Sequence, residues 1–205
     1  NATIDLKVDS ITNAFTGALL ITTNDSDSGT DGDVEIDNGT TNLVMGLSTI
    51  DGDLDLLSGG TITDDGIATV RGTLTATTDQ SNQAITLNQL AVDGAFTLAP
   101  HGTGAVTIVN DAGLNLAAST MGGTFSGTAT TGHITQSGAL AITGTSTLVT
   151  SADNGTIDLK VSGITNAFTG KLLITTNDTG SETDGDVEID GGTTNLIIGA
   201  SSIEG

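Results

Sequence analysis

Along most of this chain apolar and polar residues alternate one for one. Ile4, Leu6 and Val8 alternate with Asp5 and Lys7, and Val34 and Ile36 with Asp33, Glu35 and Asp37. The stretches DGDLDLL, AITLNQL, AVTIVN and LAITGTSTLV repeat the pattern. A period of two puts apolar side chains on one face of a β-strand and polar ones on the other. Gly, Asn, Asp and Ser fall between these runs, where tight turns need them. No segment holds a 3.6-residue period, so the chain is predicted to be all-β.

The pattern also repeats on a longer scale. Residues 1–52 align without a gap to residues 154–205, and 39 of the 52 pairs are identical, which sets a period of 153. Inside it, GTITDDGIATVRGT from Gly60 matches GHITQSGALAITGT from Gly132 at an offset of 72. Ile85 and Leu87 fall on Ile157 and Leu159 at the same offset. The copies are therefore about 1–61, 62–133 and 134–205, with the 153-residue period made of an 81-residue and a 72-residue unit. The longer type carries an acidic loop at residues 24–32 and 177–185 that the middle copy lacks. A loop that one copy can omit lies on the surface.

Composition narrows the architecture. Aromatic residues are 2 %, with no Trp or Tyr, and glycines number 29. Such a chain lacks the large rings that fill a wide core. Val, Ile, Leu and Ala fill a thin one. Copies in fixed register with small residues at their turns predict a right-handed parallel β-helix, one continuous β-solenoid over residues 1–205. Each coil should take about 20–25 residues and stack about 4.8 Å from the next. The alternative is a tandem of β-sandwich domains with boundaries near 62 and 134.

Charge sets limits on partners. Twenty-five acidic residues against four basic ones give a net charge of −21. Nucleic acid is bound through Lys and Arg, and anionic membranes attract polybasic segments, so both partners are disfavoured. Absent cysteine excludes disulfides and thiolate metal sites. No start Met, signal peptide or apolar run of about 18 residues is visible, so the chain is expected to be a mature or excised segment without membrane insertion.

The phrases GHITQSGALAITGTSTL, TIDLKVSGITNAFTG and DAGLNLAASTMGG resemble the repeats of filamentous-haemagglutinin-like giant surface adhesins, β-helical exoproteins of Gram-negative bacteria. The resemblance rests on Ile134–Thr145 and Ile157–Gly170, and more weakly on Ile62–Thr73 and Ile85–Thr97. It implies secretion, an extracellular place on the bacterial cell surface, and a non-catalytic role. It brings no catalytic residues.

Four kinds of candidate chemistry stand out. Asp31, Asp33, Glu35 and Asp37 alternate, as do Asp184, Asp186, Glu188 and Asp190, and Asp51, Asp53 and Asp55 form a shorter stripe. Ca²⁺ gathers several carboxylate and carbonyl oxygens. A Ca²⁺ site is therefore conceivable where loop meets stripe: Asp25, Asp27, Asp31 and Asp33, or Asp178, Glu182, Asp184 and Asp186. Neither an EF-hand order nor a glycine-rich calcium nonapeptide is present, which favours a solvated acidic face. His101 and His133 lack the spacing and the cysteines of a zinc site and read as surface residues. Adjacent Asp64 and Asp65 point to opposite faces of a strand, so they do not form the convergent pair of a glycosidase, and no enzymatic activity is expected. Threonines alternate at 73–78 and 143–150. An ice-binding array needs that element on every coil, and the sequence does not repeat it so.

The chain is thus expected to be the structural shaft of a secreted bacterial surface adhesin or extracellular fibre. Its neighbours would be further repeats of the same chain or identical chains end to end. The alternatives are a Ca²⁺-dependent module binding a glycan, host or matrix surface, and a self-assembling filament subunit.

Overall fold

The computed structural model describes residues 3–24, 32–180 and 185–204. They form short strands with no helix, and every strand pair is parallel. This is a parallel β-helix. The sandwich alternative fails, because its strands would pair antiparallel.

The first sheet stacks nine strands in chain order: Ile4–Leu6, Val34–Asp37, Leu54–Ser58, Leu74–Thr78, Ala95–Pro100, Leu114–Leu116, Ile134–Gln136, Ile157–Leu159 and Val187–Ile189. The second runs Leu43–Met45, Ile62–Asp64, Ile85–Val92, Val106–Asn110, Phe125–Ala129, Ser146–Asp153, Lys171–Asn177 and Ile197–Ile198. Alternation decides which side chains enter. In Leu54–Ser58 the burial pattern is strictly buried, half-buried, buried. Val34, Leu54, Leu74 and Phe96 stack in one interior column, and Ile62, Ile85, Val106 and Phe125 in another. Ladders of apolar residues fill the thin interior, as the poverty in aromatics requires.

Register gives the length of a coil. Val34 pairs with Leu54 and Leu54 with Leu74, each a step of 20, and Ile134 pairs with Ile157, a step of 23. Where the acidic loop intervenes, Ile4 pairs with Val34 and Ile157 with Val187, each a step of 30. From Ile4 to its equivalent Ile157 the first sheet takes seven steps. The 153-residue period is therefore seven turns.

Its 72-residue part is three and a half turns. Ile62 lies in the second sheet, and its equivalent Ile134 lies in the first. Ile85 and Ile157 exchange sheets in the same direction, and Val34 and Val106 in the other. Each repeat thus presents its residues on the sheet that its predecessor did not use.

The bend of the coil travels with the repeat. Strands Ser48–Ile50 and Ala68–Val70 turn off after the second sheet; the first pairs with the second, and the second with the end of Ile85–Val92. Strands Ser119–Met121, Leu140–Ile142 and Ala167–Phe168 turn off after the first sheet and form the third. Gly66 and Gly138 sit at this bend, at equivalent positions of the two copies. A Cβ on Gly66 would lie 2.6 Å from the backbone nitrogen of Leu47, and Gly138 meets Ala118 in the same way. Only glycine lets the corner close onto the rung before it.

Candidate functional site

The clearest concentration of charge is on the outer face of the first sheet. Asp5, Glu35 and Asp55 occupy the same register position on successive rungs, one strand spacing apart. Thr75 and Thr97 continue the column. Like charges directly opposite repel. The column is relieved at Asp55, where the Lys7 ammonium lies 2.7 Å away. Beside it, Asp33 Oδ1 accepts the N–H of Asp53 at 2.8 Å, and Asp53 Oδ1 accepts the N–H of Thr73 at 2.6 Å. These two carboxylates cap the start of the next strand through one oxygen each. Asp33, Glu35, Asp53 and Asp55 line a shallow groove of about 230 Å³ with Thr73 and Thr75. Seven turns on, Asp158 and Glu188 pair in register, with Lys160 at 3.6 Å from Glu188.

The sequence grouped Asp51 with Asp53 and Asp55. The structure separates them: Asp53 is exposed, whereas Asp51 is buried, 3.2 Å from Arg71 Nε, and takes its place in the turn. Of the loop carboxylates, Asp25, Asp27, Asp31, Glu182 and Asp184 lie outside the described residues. Asp178 Oδ1 accepts the N–H of Gly180, while its own N–H bonds Glu204. Asp186 is exposed, and its backbone carbonyl accepts the N–H of Ile157. Among the described residues no three His, Cys, Asp or Glu side chains converge as a metal cluster.

The remaining candidates disperse. His101 Nδ1 is 3.2 Å from Ser81 Oγ, and His133 Nδ1 accepts the N–H of Thr156 at 3.0 Å. Asp64 Oδ2 accepts the N–H of Gln89 at 2.7 Å, while Asp65 is exposed. Burial pushes the Asp64 carboxyl above the ordinary carboxylate range, against the backbone N–H groups of Gln89 and Asn88 that hold it down. Asp153 is shifted the opposite way, because the N–H and hydroxyl of Thr179 bond its charged form.

One array escaped the sequence. Thr63, Thr86, Thr107, Ser126 and Thr147 form an outward column across five rungs of the second sheet. Their spacings are 23, 21, 19 and 21, so no fixed period reveals them.

A family described as repeats of unknown function (DUF5649) matches the chain twice, over residues 31–100 and 103–175. The chain belongs to this family. The offset between the starts of its two matched units is the one that carries Val34 of the first sheet onto Val106 of the second. The family unit is therefore a three-and-a-half-turn block. No curated protein and no solved structure matches the chain.

Proposed function

We propose that the chain is a segment of the stiff shaft of a long secreted β-solenoid, the stalk of a bacterial surface adhesin or extracellular fibre, with no catalysis of its own. One observation carries this reading. The last rungs repeat a rung that is elsewhere covered. Val34, Ile36, Met45 and Ile50 are buried beneath the strands at 54–70. Their equivalents one period on are Val187, Ile189, Ile198 and Ile203, and the last two are 54 % and 48 % exposed. A surface that repeats a buried one, residue for residue, is suited to the same cover, a further repeat stacked in the same register. The resemblance of the ITQSG and IDLKV phrases to exported adhesins supports the place of action.

Stacking makes length additive. Each 153-residue period contributes seven turns, or about 34 Å at the strand spacing.

A chain lengthened at its C-terminus by residues 53–153 and a further 154–205 tests this by small-angle X-ray scattering. The maximum dimension should grow by about 34 Å at constant cross-sectional radius. Growth in cross-section instead, or a collapse into separate lobes, contradicts the shaft. Immunolabelling of intact cells with antibody to the folded chain tests its surface location.

A further inference from the structure

The bend that moves along the coil leaves an apolar feature at one corner. The pair Ser48–Ala68 sets Leu47 and Ile67 side by side on successive rungs, and the bridge Leu19–Met45 puts Leu20 on the rung before, over Gly46 next to Leu47. Leu20, Leu47 and Ile67 are 70 %, 66 % and 52 % exposed. The other large exposed hydrophobics among the described residues, Val8, Ile11, Leu196, Ile197, Ile198 and Ile203, lie in the end rungs, where a further repeat would cover them. Leu47 and Ile67 lie on inner rungs and stay exposed with a rung on either side, so stacking covers neither. Leu20 is on the first described rung, and its equivalent Leu173, with a rung before it, is half-buried.

This ridge ends in a hollow. On the next rung Asn88 and Gln89 bulge from the strand, and the register slips between Ile108 and Asn110. The gap is about 270 Å³, walled by Ile67, Leu90 and Val109, with Asn88, Gln89 and Asp111 at its edge. The middle copy builds it. There Leu90 and Val92 continue the strand inward, whereas the equivalent Ser162 and Ile164 lie in an irregular connection.

Charge selects the occupant. Asp65 stands beside the ridge and Asp111 beside the hollow, and both are exposed. A second copy carrying a net charge of −21 would be repelled. We propose that this corner docks a cationic amphipathic segment of another protein, an aliphatic side chain entering the hollow while flanking Lys or Arg side chains meet Asp65 and Asp111. An aliphatic anchor in a pocket with a polar rim is the general form of a peptide-binding spot.

The test uses the full chain and a fluorescein-labelled eight-residue peptide of alternating Lys and Leu, followed by fluorescence anisotropy. Glu–Leu and Lys–Ser peptides of equal length are the comparisons. The Lys–Leu peptide should bind at least tenfold more tightly than either. The double variant Leu47→Ser/Ile67→Ser should weaken it at least tenfold. Asp65→Asn/Asp111→Asn should weaken it several-fold more than Asp5→Asn/Glu35→Gln, which removes equal charge from the distant ladder. Hydrogen exchange on the unsubstituted chain should show the peptide protecting residues 88–90 and 109–111, which keeps the test independent of how the variants fold. Absence of binding, equal loss from the two charge variants, or protection elsewhere would overturn the proposal.

Discussion

Asn38 and Asn110 hold the same position in the two family units and make the same bonds on different sheets of the coil. Asn38 Oδ1 accepts the N–H of Phe15 at 2.6 Å, and its Nδ2 donates to the Phe15 carbonyl at 3.0 Å. Asn110 Oδ1 accepts the N–H of Val92 at 2.8 Å, and its Nδ2 donates to the Val92 carbonyl at 2.9 Å. Each amide also closes its own turn, on Asn42 and on Gly113. Both side chains are fully buried. They replace a missing strand pair with a side-chain copy of it, at the place where the coil leaves one sheet.

Removing either amide strands a backbone N–H and a carbonyl, buried at Val92 and half-buried at Phe15, at roughly 1–3 kcal/mol for an orphaned group. Asn38→Ala and Asn110→Ala should therefore each destabilise by about 2 kcal/mol or more, and by similar amounts. Urea unfolding measures both. A large cost at one position and none at the other would break the equivalence of the two faces.

The acidic column makes a prediction of opposite sign. Glu35 lies between Asp5 and Asp55 in register, and like charges directly opposed cost up to about 1 kcal/mol. Glu35→Gln should raise stability by a few tenths to about 1 kcal/mol at low ionic strength. At about 1 M NaCl, where the screening length falls to about 3 Å, the gain should vanish. Thermal melts at two salt concentrations decide it.

Two carboxylates give pH dependences of opposite slope. The Asp64 pKa is raised in the fold, so the folded chain binds its proton more tightly than the unfolded one. The contribution of Asp64 is fully present below the unfolded value of 3.8 and is lost as pH rises through the higher folded value. Asp153 is lowered, so its contribution is present above 3.8 and is lost as pH falls through the lower folded value. Asp64→Asn should flatten the fall in stability above pH 3.8, and Asp153→Asn should flatten the loss below it. Denaturation midpoints against pH check both signs.

The strands and the solenoid were legible because burial follows alternation so closely, as in Leu54–Ser58 and Val106–Asn110. The 72-residue offset was legible too, and the two family units start that far apart. What the sequence hid was phase. The steps from Leu54 to Leu74, from Leu74 to Phe96 and from Ile134 to Ile157 differ in length yet share one sheet. Nothing in the letters therefore says that the shorter repeat ends half a turn out. The hydroxyl column from Thr63 to Thr147 was missed for the same reason. Asp51 was misplaced because alternation continues on paper through the turn at Gly52, while the chain bends there and buries it. The apolar corner at Leu47 and Ile67 has no signature at all. It arises where a bulge in one rung meets a regular strand in the next.

The central claim is the register of the coil, and disulfide trapping tests it most directly. The chain has no cysteine, so introduced pairs have no competitor. Thr107 faces Ser126 on the second sheet, and Thr135 faces Asp158 on the first. Neighbouring strands bring such residues within the Cα separation of about 4.4–6.8 Å that a disulfide needs. Thr107→Cys/Ser126→Cys and Thr135→Cys/Asp158→Cys should both oxidise within the monomer with the fold intact and the melting temperature unchanged or higher. Failure of either pair to close in the folded chain would contradict a parallel helix that completes seven turns in each sequence period.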